Sequence, residues 1–183
     1  MALPIAHSAV AFGIIRSRDR LVLAGAVFLS ILPDLDFILV WGFGLPIQVY
    51  HRTFSHSILF SLALALLWRS FCPFRLRTLS FMPVLLILLS HGAIDMLCTS
   101  DAADHGVMLF WPVSSYRAGV PVLVPVYLLV ANSPFSPEGA LRFLFLESFM
   151  AWPLWRFTRI VREGLLAMAA RHWDSKAAVQ LKE

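Results

Sequence analysis

An all-α, multi-spanning integral membrane bundle is the fold class this sequence predicts, from its bulk composition, its apolar runs and the placement of its arginines. Of 183 residues, 59% are hydrophobic and only 14% charged, and the mean hydropathy is +0.76, well outside ordinary soluble usage. The apolar residues fall in helix-length runs with arginine clusters in the turns between them, where topology signals belong. A formal charge of +4 and a pI near 9.6 would suit nucleic acid only if the basic residues shared a solvated face, and short clusters between apolar runs do not provide one. The expected partner is therefore the lipid bilayer, with no nucleic acid. The length suits one domain, divided into a membrane-embedded part over 1–157 and a basic amphipathic tail over 158–183.

Leu3 to Ile15 reads as a short apolar helix with Pro4 in its first turn, followed by a polar break containing Arg16, Arg18 and Arg20. With no basic residues ahead of its apolar run, this start does not resemble a cleaved signal peptide. Leu21 to Leu32 is a second helix, which Pro33 should end or kink. Phe37 to Leu45 is apolar but glycine-broken, and a loop carries on to about Arg52. Ser55 to Trp68 forms a third helix, followed by a basic turn with Arg69, Pro73, Arg75 and Arg77. Leu79 to Cys98 reads as the best full span, close to the roughly 20 residues a bilayer requires. Thr99 to Ala118 is polar and mixed. Val120 to Val130 is too short and proline-interrupted to span, so a re-entrant or interfacial piece is expected. Ala140 to Phe157 is a last span weakened by Arg142, Glu147 and Pro153, and the tail beyond it suits an anionic membrane surface. Cys72 and Cys98 have no CxxC partner and read as packing residues.

If successive helices alternate direction, the arginine turns share one side, which the positive-inside rule makes cytoplasmic. His7, Asp34, Asp36, His51, His56, His91 and Asp95 then lie towards the opposite, non-cytoplasmic side. Titratable groups beside apolar helices need a pairing partner, water or a metal. His91 and Asp95 are four apart on one helix and share a face, about 6 Å apart along the axis, so one helix supplies two ligands to one site. His51 and His56 are five apart and reach one centre only if His51 is in a loop and His56 in the first turn of the following helix. Thr53 or Ser55 is suited to cap that helix. Asp34 and Asp36 are two apart after a proline and diverge, so one faces the centre and the other supports it or serves a second ion. Arg52 suits a phosphate or carboxylate, or pairs with Asp34 or Asp36.

Five oxygen and nitrogen ligand positions without a thiolate, Asp36, His51, His56, His91 and Asp95, with His7 and Asp34 completing or supporting them, suit Zn²⁺ first, then Mn²⁺ or a related divalent ion, with more than one ion allowed. Such a site with open positions lowers the pKa of bound water and supports metal-assisted hydrolysis. The absence of HExxH, GxSxG and a glycine-rich phosphate loop disfavours a zincin protease, a serine hydrolase and a nucleotide-driven enzyme.

The ordered set His7, Pro33-Asp34-Leu35-Asp36, His51-Arg52-Thr53-Phe54-Ser55-His56-Ser57, His91-Gly92-Ala93-Ile94-Asp95 and Gly106-Val107 to Trp111-Pro112 resembles the YdjM-like family of membrane-bound metal-dependent hydrolases over roughly residues 1–125. The order of ligand types is also similar to that of zinc-dependent phospholipase C and P1-type nucleases, which implies phosphoester chemistry. Ser55 stands where the family usually has threonine, and Ser100 to His105 looks like an insertion, so Asp104 and His105 do not map onto the pattern. The resemblance implies a prokaryotic inner (plasma) membrane location and a hydrolase of a lipid or lipid-linked phosphate. In that hydrolase His7, Asp36, His51, His56, His91 and Asp95 are the metal residues, and Asp34 and Arg52 the catalytic ones. A non-enzymatic metal-binding or metal-transport protein, and a scaffold with a structural metal, are the alternatives.

Overall fold

The computed structural model describes residues 4–77, 79–99, 106–120, 122 and 137–180. Among them every regular element is helical, apart from one isolated antiparallel bridge between Val107 and Ala118. Helix α1 (Pro4–Ile14) carries its proline in the first turn, where a missing N–H removes no hydrogen bond. Helix α2 (Arg20–Ile31) is capped by Asp19, whose carboxylate accepts from the Leu21 N–H at 2.8 Å. Pro33 does not stop the chain. It initiates a 3-10 turn, Leu32–Leu35, that leads directly into α3 (Asp36–Gly42).

A short helix, α4 (Ile47–Tyr50), and a second 3-10 turn, Phe54–His56, precede α5 (Ile58–Phe71). The cap of α5 is Ser57, which accepts from Phe60 N–H at 3.1 Å, so neither Thr53 nor Ser55 plays the part expected of them. A third 3-10 turn, Phe74–Leu76, leads to α6 (Phe81–Leu97). Helix α7 (Pro137–Gln180) runs unbroken for 44 residues through Pro153, about 66 Å. The expected last span and tail are thus parts of one helix, with no break at Phe157. Val120 and Val122 are described, while the rest of the segment to Val130, together with Asp104 and His105, lies outside the described residues.

The segment long and apolar enough to cross a bilayer is not the one expected. The run Arg20–Gly42, joined across Pro33, has 23 residues, whereas α6 is 17 residues long. By length and composition it is the one such helix among the described residues, because the proline turn continues the helical path instead of breaking it.

The main core is built where α1, α2, α5 and α6 meet. Ala11, Ala26 and Ala65 let backbones approach closely, and Leu29, Ile87 and Leu88 fill the space between them. A smaller cluster of Val10, Ile94 and Cys98 receives Leu154 from α7. The outer surface is also apolar, with Trp41, Phe71, Phe74, Phe145, Phe149 and Trp152 exposed. Apolar faces of this extent suit a surrounding of lipid.

Helix α7 is fastened to α1 at Gly13. A Cβ built there would lie 1.8 Å from Thr158 Oγ1 and 3.1 Å from the Trp155 carbonyl, and Arg162 Nη1 donates to the Gly13 carbonyl at 2.9 Å. Thr158 cannot easily yield, since its hydroxyl bonds the Leu154 or Trp155 carbonyl. Gly13→Ala should therefore destabilise the protein by about 1–3 kcal/mol through overpacking, despite alanine's better helix propensity. Thermal unfolding in detergent measures the loss, and adding Thr158→Ala should recover part of it.

Candidate metal centre

Three parts of the chain converge below the described loop 106–120. The 3-10 turn after α2 presents Asp34, the turn Phe54–His56 presents His56, and the last two turns of α6 present His91 and Asp95 on one face. One ligand atom from each of these four residues lies within 4.8 Å of the others, and the described chain thereby contains a group able to hold a metal ion. His91, Asp95 and His56 are buried, while Asp34 is about a quarter exposed and forms the open side.

The hydrogen bonds determine which ring nitrogens face this centre. His91 Nδ1 is 2.6 Å from the Ser30 carbonyl, which only accepts, so Nδ1 carries the proton and Nε2 carries a lone pair. The Ser55 hydroxyl donates to Asp36 Oδ2, leaving its oxygen to accept from His56 Nδ1 at 2.9 Å. His51 Nδ1 donates to Asp36 Oδ1 at 2.7 Å. In each case the Nε2 atom points inward. His91 Nε2 and His56 Nε2 are 3.1 Å apart, and they lie 3.3 Å and 3.5 Å from Asp34 Oδ1. His56 Nε2 also lies 3.4 Å from Asp95 Oδ2.

Acceptors packed this closely repel one another unless a cation or a proton lies between them. Among the described residues, Asp34, Asp36 and Asp95 contribute three negative charges and Arg52 one positive charge, its Nε 2.7 Å from Asp95 Oδ2. The net of two negative charges is what one divalent ion neutralises. Asp95 Oδ1 and His51 Nε2 are buried without a hydrogen-bond partner, a further sign that these donors suit a metal. The outer partners, Ser30, Ser55 and Asp36, are of the kind that orient metal-binding imidazoles.

Arg52 has a φ of 62°, a left-handed conformation that costs a non-glycine residue free energy and persists only where its surroundings impose it. Its N–H donates to Asp36 Oδ2 at 3.2 Å and its carbonyl accepts from Met108 N–H at 3.0 Å. Arg117 adds bonds to the Gly106 and Val49 carbonyls, so the loop 106–120 braces the segment that carries His51, Arg52 and His56.

All eight residues singled out by the sequence lie in or beside this group. The roles of the aspartates are exchanged: Asp34 faces the centre, and Asp36 stands behind it, its oxygens taken up by His51, Ser55 and the Arg52 backbone. Two positions apart on a helical path, their carboxylates point in different directions, and spacing cannot say which points inward. His51 is in the loop as expected, with Nε2 3.9 Å from Asp34 Oδ1, whereas His56 ends a 3-10 turn ahead of α5. His7 stacks on His91 at 3.8 Å between ring centroids and approaches Asp95 Oδ1 at 3.6 Å, so it lies on the margin. Arg52 pairs with Asp95, not Asp34 or Asp36. Sequence reasoning missed Ser30, Ser55 as an orienting residue, and Gly92, where a Cβ would come within 3.0 Å of the His56 carbonyl. It also missed the buried Glu147, whose Oε2 accepts from Ala6 N–H at 3.0 Å, one residue before His7. Glycine beside a ligand histidine and a carboxylate inside an apolar run were the legible hints among these.

Residues 2–171 match the family model described as YdjM inner membrane protein. The chain belongs to this family. No curated protein and no solved structure matches it. Membership of the YdjM family places the chain in a membrane, and the Asp/His group is its candidate metal site.

Burial alone would lower the His56 pKa, but the Asp34 and Asp95 carboxylates outweigh it and raise it to about 9. Without a cation, a proton on His56 therefore holds the acceptors together. That stabilisation is complete below the ordinary imidazole value of 6.5 and is lost as pH rises through about 9. In chelator, the thermal midpoint should fall between pH 6.5 and 9.5, and His56→Gln should flatten the profile. A divalent ion must displace the same proton, so its affinity should weaken about tenfold per pH unit below about 9, measurable by competition with a chromophoric chelator.

Proposed function

We propose that this YdjM-family protein is a membrane-bound, metal-dependent hydrolase that cleaves a phosphoester in a lipid or lipid-linked substrate. The observation that carries this reading is the convergence of Asp34, His56, His91 and Asp95 on one point. These four residues would hold the ion, with His51 and His7 at its edge available to a second one. A borderline nitrogen and oxygen donor set without thiolate suits Zn²⁺, with Mn²⁺ next. When bound, a divalent ion supplies Lewis acidity and a water of lowered pKa.

The chain's own residues do the rest. Asp36 and Ser55 fix the His51 and His56 rings, and the Ser30 carbonyl fixes His91. Arg52 is held against Asp95 at the centre, where its positive charge would steady the negative charge that develops on a phosphoryl group. Asp34, on the open side, would accept a proton from the attacking water. Leu35, Ile38 and Tyr50 are exposed beside the site residues, an apolar approach that suits a substrate resident in the bilayer. Several membrane crossings, with the site on the non-cytoplasmic face opposite the arginine turns, complete the proposal.

The burial of His56, His91 and Asp95 also favours a second reading, a non-enzymatic metal-binding or metal-transport protein. Elemental analysis of detergent-purified protein, combined with a screen of phosphoester and phospholipid substrates, separates the two. Wild type should contain stoichiometric divalent metal and show metal-dependent turnover. Asp34→Asn, His91→Ala and Asp95→Ala should each lose metal, and Asp36→Asn should weaken metal binding by about 10–100-fold. Full metal content in the His91 and Asp95 variants would refute the site, and metal with flux into proteoliposomes but no turnover would favour transport.

A further inference from the structure

The end of the bundle remote from the metal centre carries a second polar feature. Where the turn after α5 meets the start of α6, a cleft of about 360 Å³ is lined by Arg69, Ser70, Arg77 and Ser80, with Cys72 and the buried Leu79 completing it. No acidic side chain is among these residues. Arg77 also borders a neighbouring cleft lined in part by Asp19, the residue that caps α2 through Leu21 N–H; Asp19 does not line the first cleft. Two arginines and two serines thus line one space that has no acidic residue among its described lining, with the Ser70 hydroxyl bonded to the Leu66 carbonyl at 3.0 Å. Ser80, the cap of α6, and His91 are eleven positions apart, roughly 16 Å along the axis, so this cleft is not part of the metal centre.

The surroundings of the cleft identify its occupant. Phe71 and Phe74 flank it, and both are about four-fifths exposed, with the Arg77 guanidinium 5.4 Å from the Phe74 ring centroid. Exposed phenylalanine rings beside arginines suit the boundary between acyl chains and headgroups, where the ring stays among acyl chains and the guanidinium on its apolar stem reaches the polar layer. A basic pocket between apolar helices at that depth matches a phosphate carried on a lipid, where the guanidinium forks bind the oxygens and the rings contact the acyl region. We propose that this cleft is a binding site for the phosphate headgroup of an anionic phospholipid, with Arg69 and Arg77 as its principal ligands.

The test titrates full-length protein in neutral detergent with short-chain phosphatidylglycerol, phosphatidylcholine or inorganic phosphate and follows the thermal midpoint, with metal content measured on the same samples. Phosphatidylglycerol should raise the midpoint saturably and phosphatidylcholine should not. Arg69→Gln/Arg77→Gln should abolish the rise, while Arg16→Gln/Arg18→Gln, which removes the same charge from another turn, should keep it. Should the glutamine pair fail to fold, Arg69→Lys/Arg77→Lys decides: half-saturation weakened by at least about threefold supports the site, and unchanged half-saturation overturns it. Equal loss in the Arg16/Arg18 pair would reduce the effect to bulk charge, and a full rise with inorganic phosphate at equal concentration would make it a free-phosphate site. Either result overturns the proposal. Metal content should be unchanged throughout, so its failure is distinguishable from failure of the metal centre.

Discussion

The arrangement at the centre of this protein depends on one electrostatic constraint: lone pairs and carboxylate charges that would repel one another are held within hydrogen-bond distance. His56 Nε2 and His91 Nε2 approach to 3.1 Å, beside Asp34 and Asp95, in surroundings from which water is largely excluded. Coulomb repulsion at such distances is several-fold stronger than in water. A cation resolves it, and in its absence a proton on His56 does so. The outer hydrogen bonds from Ser30, Ser55 and Asp36 follow from the same need, since each occupies an Nδ1 and thereby turns an Nε2 inward.

The helices supply the rigidity that this geometry demands. His91 and Asp95 are locked into α6 with the core residues Ile87 and Leu88 immediately before them. The turn carrying His56 can reach them only because Gly92 leaves room for its backbone. Helix α1, which carries His7, is held at one end by Glu147 and at the other by the close contact between Gly13 and Thr158. The long α7, which contributes no residue to the metal group, thus shapes it through α1.

The chemistry also has a direction. Ionisable residues of the centre and the arginine clefts between α5 and α6 occupy opposite ends of α6, while the sides between them are apolar and exposed. The ionisable groups of these two features are thereby held at different levels along α6, with apolar surface between them.

Composition and spacing by themselves determined the helical class, the membrane setting and the identity of the residues that gather at the centre. These are local properties: apolar run length, ligand type and the four-residue interval between His91 and Asp95 act within one element. Only the tertiary structure decided that Pro33 continues a helix, that Asp34 faces inward and Asp36 outward, that Arg52 pairs with Asp95, and that Ser57 caps α5. Each of these turns on direction, and the direction of a side chain in a turn depends on backbone angles imposed by packing partners distant in sequence. Glu147 illustrates the point most clearly, because a carboxylate in an apolar helix announces itself in the sequence, yet its partner, the N–H of Ala6, lies 141 positions away.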